Sequence, residues 1–346
     1  MVPVVDLSRR ADRYRTRYLA AVDRVLTSGQ VLLGTETAAF EAEFADWTGN
    51  ELCAAVSSGA TALQLTLAAL DIGPGDEVIV PSHTAVPTAS SVCAVGAMPV
   101  LVDVDRETGA LDPAAARAAV TDRTKAVIVV HLYGRPAELP TGLGVAIIED
   151  AAQAHGALVA NTVSAATCYS FYPTKNLGGI GDGGAIVSHD SDLIDRVRRM
   201  RTHGMAAQYV HVEIAQNFRL SEIEAAWLRL LLPDLHGGNA RRRDVMAAYR
   251  SGVPELAWHL DHPKHVYHLA VARVAEREAF RSRLAERGIA TGIHYPHAVH
   301  QQPAYTQIAR HACPESAAWA AECVSLPCFP EITDNEVTAV IAALTC

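Results

Sequence analysis

Lys175 is the one lysine in the segment Tyr169-Ser-Phe-Tyr-Pro-Thr-Lys-Asn-Leu-Gly-Gly-Ile-Gly-Asp-Gly-Gly184, between a strand-like Ser-Phe and a glycine-rich loop. A lysine that forms a Schiff base needs a fixed position and a dry pocket that lowers its pKa. Adjacent glycines let backbone approach a bound ligand closely. A lysine in a surface turn has the same local sequence, so Lys175 alone leaves both readings open. Asp150 closes the apolar run Val145-Ala-Ile-Ile-Glu-Asp150 and is followed by Ala-Ala-Gln153-Ala-His155. A carboxylate at the carboxyl end of a parallel strand sits where open α/β sheets bind ligands, although an aspartate there also serves as a helix N-cap. Ser57-Ser58-Gly59-Ala60-Thr61 precedes a helical pattern. Small residues opening a helix expose backbone N–H groups at the positive end of its dipole, an anion site, or else form an ordinary capped start.

Taken together, these three features suit pyridoxal phosphate. The lysine would hold it covalently, and the helix start would take its phosphate, with Ser170 adding a hydroxyl. Asp150 would keep the pyridine nitrogen protonated so that the ring accepts carbanion electrons. Gln153 and His155 would lie close enough to touch the ring or its phenolic oxygen.

The elements that must position these residues alternate along the chain. Glu77–Pro81, Met98–Asp103, Ala126–His131 and Val145–Asp150 read as buried strands, with Ala185–Ser188 as a fifth. Helices are expected at Ala60–Leu70, Thr88–Gly96 and Pro113–Val120. The order implies a mainly parallel sheet covered on both faces. A long helical region over Ser221–Tyr249 is expected to break at Gly237-Gly238 and Arg241-Arg242-Arg243. Beyond residue 250 come a strand-like His268–Arg273, an amphipathic helix Glu276–Arg287 ended by Gly288, Ile289–Tyr295, and a closing helix Asp334–Leu344. A domain boundary is placed near 235–250, giving a large domain over residues 1–240 with an N-terminal arm and a small one over 241–346.

Half of the 346 residues are hydrophobic, enough for a large core. The net charge of −9 argues against nucleic acid or an anionic membrane as partner. Seven cysteines are scattered without a CxxC pair. They read as reduced thiols, those in apolar runs such as Cys93 and Cys328 as small buried hydrophobes, and no metal site is assigned. The N-terminus has charges where a signal peptide needs an apolar stretch, and no run matches the roughly 20 apolar residues of a membrane span. A soluble, cytoplasmic protein is expected.

These residues resemble the sugar aminotransferase family named after DegT, DnrJ, EryC1 and StrS. The likeness covers nearly the whole chain. It includes Ser28-Gly29-Gln30 with Gly34, Ser58-Gly59-Ala60-Thr61-Ala62-Leu63, Gly75–Pro81, Val102–Asp105 and Glu149–Gln153. It continues through the Lys175 segment, His203-Gly204, Asn217-Phe218-Arg219-Leu220 and Thr291–Pro296. The resemblance implies an α/β chain of the fold-type I, aspartate aminotransferase-like class: a mainly parallel central sheet between helices, and a smaller C-terminal α+β domain. It implies a pyridoxal-phosphate enzyme moving an amino group from L-glutamate to a nucleotide-linked keto sugar, in a homodimer with shared active sites. Lys175 would bind the cofactor covalently and Asp150 would pair with its pyridine nitrogen. Gly59, Ala60 and Ser170 would hold the phosphate, and Asn217 would reach the neighbour's phosphate. Many relatives carry a large aromatic residue where this chain has Ala85, so ring stacking comes from His83 or is weaker than usual, His83 otherwise reading as a loop histidine. The segments between Gly134 and Val145 and over Ala157–Ala166 look shortened. His294, Tyr295 and Arg219 are candidates for substrate, with Arg201 and His203 as further basic partners for a diphosphate.

The lysine segment with Gly181-Asp182-Gly183-Gly184 looks like the branch that aminates carbon 3, favouring a dTDP-3-keto-6-deoxyhexose and a role in antibiotic or surface-polysaccharide sugars. A 4-keto sugar, a cyclitol ketone, or a non-catalytic cofactor-binding regulator are the alternatives. Dehydratases on similar sugars are associated with histidine at the lysine position, which here is Lys175.

Overall fold

The computed structural model describes residues 1–158 and 160–345; Val159 and Cys346 lie outside the described residues. Two helices open the chain. α1 (Leu7–Ser28) is capped by the Asp6 carboxylate, which accepts the Ser8 and Arg9 N–H groups, and it ends at Gly29 in the left-handed conformation. α2 (Thr35–Thr48) follows. Then come β1 (Leu52–Val56), α3 (Gly59–Ala69), β2 (Glu77–Pro81), α4 (Val86–Ala94), β3 (Met98–Val102), α5 (Pro113–Ala118), β4 (Thr124–Val130), β5 (Ala146–Asp150), β6 (Ala166–Ser170), β7 (Gly184–Ser188) and α6 (Ser191–Met200).

The seven strands form one sheet in the order β1-β7-β6-β5-β4-β2-β3. All run parallel except β7, which is antiparallel to both neighbours. Two apolar layers cover the sheet. One faces α3, α4 and α6, through residues such as Leu63, Leu67, Val92 and Val197. The other, on the side of α1 and α2, holds Phe40, Phe44, Tyr169 and Phe171. β1 escapes the strand assignment because Cys-Ala-Ala-Val carries few branched residues, and of β6 only the strand-like Ser-Phe end is anticipated; pairing with β7 and β5 makes them strands.

A small hairpin, β8 (Met205–Ala207) with β9 (Val210–His211), leads to α7 (Glu222–Leu231). The helix break expected at Gly237-Gly238 falls earlier, at the 3-10 turn Leu232–Asp234. Pro233 lacks the N–H that a continuing helix requires. Both glycines lie inside α8 (Leu235–Gly252). Its buried Leu235, Asn239, Arg242, Val245, Met246 and Tyr249 form one packed stripe, which outweighs the roughly 1 kcal/mol helix penalty of each glycine.

The rest of the chain builds a second, antiparallel sheet from β10 (Ala257–Trp258), β11 (Ala270–Arg273) and β12 (Cys323–Leu326). Around it lie α9 (Arg277–Glu286), α10 (Pro314–Glu322) and α11 (Asp334–Thr345). The N-terminus joins this half: Val2 donates to the Gly288 carbonyl at 2.7 Å and accepts from the Ala290 N–H at 2.9 Å.

The cysteine reading holds for Cys328 but not for Cys93, which is exposed. α4 turns Thr88, Ala89, Ser91 and Val92 inward and leaves the Cys93 position outside. No helix among the described residues is long and apolar enough to cross a membrane.

Candidate active site

Asp150 closes β5 and Ser170 closes β6, and Gln153 and Lys175 follow these strand ends in the chain. Lys175 follows β6 in a turn closed by its own N–H on the Tyr172 carbonyl at 2.8 Å. The buried Arg10 of α1 donates to the carbonyls of Pro173 and Lys175 at 3.0 and 3.4 Å, tying the lysine loop to the N-terminal helix. Burial lowers the Lys175 pKa to about 8, against the opposing pull of the Asp150 carboxylate.

Asp150 is buried at the end of β5. One oxygen accepts from the Thr88 hydroxyl at 2.9 Å and the other from the Ala152 N–H at 3.1 Å. Burial raises its pKa, while those two bonds and the lysine charge pull it down. Neighbouring Glu149 is committed elsewhere. Burial would raise its pKa, but bonds from His131, at 2.9 Å, and from Asn161 bring it down to about 2.

The anion cradle is a matter of close approach. Ser58 caps α3, accepting the Thr61 N–H at 3.1 Å, while the Thr61 hydroxyl accepts the Ser58 N–H at 2.9 Å. The first-turn N–H groups of Gly59 and Ala60 have no intrahelical acceptor. A Cβ at position 59 would stand 2.6 Å from the Ser170 Cβ, and one at 184 would stand 2.3 Å from the Ser58 carbonyl oxygen. Only glycines let β6, β7 and the helix start converge, which leaves two free N–H groups beside the Ser170 hydroxyl. A phosphate fits there. With a buried carboxylate in electrostatic reach of a buried lysine on the loop after Ser170, the residues present suit pyridoxal phosphate.

A cavity of about 240 Å³ opens beside Lys175. Gln153, Tyr172, His268, His294 and Tyr295 line it, together with Val4 and Val5. Gln153 accepts the Tyr133 N–H at 2.6 Å and donates to the Tyr295 hydroxyl at 3.0 Å. His294 pairs with the Ser325 hydroxyl at 2.8 Å, and burial and Lys175 lower its pKa to about 4. Burial, with Lys175 adding to it, also lowers the pKa of His155 to about 3, against a pull upward from the Ser170 backbone; its ring packs on Tyr169 and Phe171.

Other candidates stand apart from this cavity. The His83 ring stacks on Trp319, with centroids 5.8 Å apart, and its Nε2 meets the Tyr133 hydroxyl at 2.8 Å. Asn217 is exposed and accepts from the Arg219 guanidinium at 2.9 Å. Their segment adjoins the anion cradle, since the Ser57 N–H donates to the Phe218 carbonyl at 2.9 Å. Arg201 is not free for a diphosphate: it is buried, paired with Glu41 and bonded to the Ala55 carbonyl at 2.7 Å. His203 is exposed, its carbonyl accepting from His211 at 2.9 Å.

Sequence reasoning missed Thr88, Tyr133, Asn176 and His268. Asn176 follows the lysine, donates to Asn239 and the Val266 carbonyl at 2.8 and 3.1 Å, and meets His268 at 3.2 Å. Its adjacency to Lys175 was the one available signal; the other three arrive from distant segments.

The sequence matches the description DegT/DnrJ/EryC1/StrS aminotransferase family over residues 13–345. The chain belongs to that family. It is 42% identical to a dTDP-3-amino-3,4,6-trideoxy-alpha-D-glucose transaminase of Streptomyces venezuelae, over 99% of this chain and 95% of the relative. The crystal structure of S. venezuelae DesV in complex with a ketimine intermediate superposes with a TM-score of 0.96 at 41% identity, covering 99% of this chain and 97% of that one. The structure of NtdA from Bacillus subtilis with bound cofactor PMP gives 0.94 at 26% identity, covering 99% and 84%. The protein is a pyridoxal-phosphate-dependent aminotransferase of fold-type I.

Proposed function

We propose that the enzyme transfers an amino group from L-glutamate to the ketone of a nucleotide-linked sugar, a dTDP-3-keto-6-deoxyhexose, giving a dTDP-3-amino sugar. The observation that carries the reading is Lys175, its pKa lowered to about 8 by burial and held against that by the charge of nearby Asp150, on the loop that follows the Ser170 end of β6 where Gly59 approaches. The sugar assignment is supported by the 42% identity to the S. venezuelae transaminase over almost the entire chain.

When bound, the cofactor supplies an electron sink that makes the donor's Cα–H acidic. Lys175 would hold it covalently, with Gly59, Ala60 and Ser170 on its phosphate, Asp150 at its pyridine nitrogen, and Gln153 at its edge. Nζ, its pKa lowered to about 8 by burial, would take the proton from Cα in the glutamate half-reaction, once the donor has displaced it, and return one in the sugar half-reaction. His83 would stack on the ring in place of the aromatic residue that this chain lacks at Ala85, and His294, Tyr295 and Arg219 would orient the sugar nucleotide.

The same reading has two domains, over residues 1–240 and 241–346, and a homodimer in which Asn217 serves the neighbouring phosphate site. Exposed Tyr209, Val210, Val212 and Ile214, in the stretch that leads to Asn217, support a partner on that face. Its place is the cytoplasm, where free cysteines stay reduced.

The test is the absorption spectrum with added pyridoxal phosphate, before and after L-glutamate. A visible band should form, bleach with glutamate, and be absent in Lys175→Ala. Turnover of dTDP-3-keto-6-deoxyhexoses should then exceed that of 4-keto sugars and cyclitol ketones in one panel. A band indifferent to glutamate and to every ketone would favour the regulatory alternative.

A further inference from the structure

Tyr133 sits in the short turn after β4 with a left-handed backbone, φ 60° and ψ 3°, which a bulky side chain rarely adopts. The surroundings hold it there from several sides. Its N–H donates to Gln153 Oε1 at 2.6 Å, its hydroxyl donates to the His294 carbonyl at 2.5 Å, and His83 Nε2 lies 2.8 Å from the same hydroxyl. The ring is fully buried against His259 and Trp319.

The direction of each bond follows from what each atom can do. A carbonyl only accepts, so the Tyr133 proton goes to His294. His83 must then donate from Nε2, which makes it a neutral Nε2–H imidazole; burial, which lowers its pKa to about 3, agrees with that form. Gln153 Oε1 is taken by the Tyr133 N–H, so its amide nitrogen faces Tyr295. Tyr295 Oη therefore accepts from Gln153 at 3.0 Å, and among the described residues no acceptor takes its own proton. Burial holds the Tyr295 phenol protonated far above neutral pH.

We propose that Tyr133 is a positioning residue that fixes both Gln153 and the His294–Tyr295 peptide, so that the Tyr295 hydroxyl is a hydrogen-bond donor into the Lys175 cavity. The acceptor is an anionic or carbonyl oxygen of the bound cofactor or substrate. Tyr133 itself is buried and does not line the cavity. It acts through two contacts that converge on the same phenol: the backbone N–H through the Gln153 amide, and the hydroxyl through the His294 carbonyl next to it in the chain. The proposal rests on the reading of this crevice as the aminotransferase site.

The test compares wild type with Tyr133→Phe, Tyr295→Phe and the double variant, each loaded with pyridoxal phosphate. Two readouts are taken: steady-state kcat and KM, and the pH midpoint of the visible band. Tyr133→Phe keeps the ring and the N–H bond to Gln153 while releasing His294. It should cost on the order of tenfold in kcat and move the midpoint in the same direction as Tyr295→Phe. The double variant should be no worse than Tyr295→Phe alone, because both act through one hydroxyl. A purely structural Tyr133 would lower the melting temperature, leave the midpoint in place, and multiply with Tyr295→Phe; that result overturns the proposal. If Tyr133→Phe fails to fold, Gln153→Glu decides. Glutamate still accepts the Tyr133 N–H but cannot donate to Tyr295, so a wild-type midpoint in that variant also overturns it. A wild type without a glutamate-responsive band would instead refute the functional reading and is scored separately.

Discussion

Gly59→Ala adds one methyl group at the tightest point of the anion cradle. The new Cβ would stand 2.6 Å from Ser170 Cβ and 3.2 Å from Ser170 Oγ, where ordinary contact begins near 3.4 Å. The helix start and the end of β6 must then separate by about 1 Å to restore a normal carbon–carbon distance. Two opposing effects act on stability. Alanine at a helical position gains roughly 0.5–1 kcal/mol over glycine, and overpacking costs roughly 1–3 kcal/mol. The net is a loss of about 0–2.5 kcal/mol, small enough for the protein to fold. The effect on phosphate binding is larger, because the Gly59 and Ala60 N–H groups and the Ser170 hydroxyl no longer converge. Losing one charge-assisted bond of roughly 1.5–3 kcal/mol weakens cofactor affinity by about 10- to 150-fold. Titration of the apoprotein with pyridoxal phosphate, read by absorbance beside a urea melt, measures both quantities. Ser170→Gly removes the Cβ and Oγ but leaves the Cα at 3.1 Å, so adding it to Gly59→Ala should recover part of the stability but not the hydroxyl's share of affinity. An unchanged cofactor affinity in Gly59→Ala would refute the cradle.

Further outcomes follow from other parts of the structure. In the apoprotein, Lys175 is less basic folded than unfolded, so the unfolded chain binds more protons between the lowered value of about 8 and the ordinary 10.5. Lys175→Met should therefore be more stable than wild type below pH 8, and a pH series of melts should show that advantage shrinking through this window. An advantage that is flat with pH would mean the lysine is not desolvated. Glu41→Ala removes the acceptor of the Ala55 N–H at 2.8 Å and of Arg201, leaving a buried guanidinium uncompensated. It should cost about 3–5 kcal/mol in denaturant melts, and a loss below about 1 kcal/mol would contradict the pairing. Gly237→Ala meets no atom within 4 Å and lies inside α8. It should stabilise by roughly 0.5–1 kcal/mol, whereas a true helix break there would give a loss.

Local sequence alone determined a good deal about this protein. The runs over residues 77–81, 98–102 and 146–150 declare themselves as strands because buried parallel strands are continuous apolar segments, and they are strands in the fold. Asp112-Pro113 and Ser58-Gly59 start helices because capping and proline geometry act within one turn. Lys175, Asp150 and the helix start were recognisable because each sits beside its own local signal, a glycine-rich loop, a strand end or a cap. Tertiary structure decided what depends on contact between distant segments. The strand character of β1 and β6 comes from their partners, and the continuity of α8 through two glycines comes from a buried stripe. Arg201 reads as a free cation until Glu41, far from it in sequence, is folded against it. The Tyr133–Gln153–Tyr295 chain draws on three segments up to 162 positions apart. No periodicity records such a chain, because a hydrogen bond between remote side chains leaves no trace in the spacing of either.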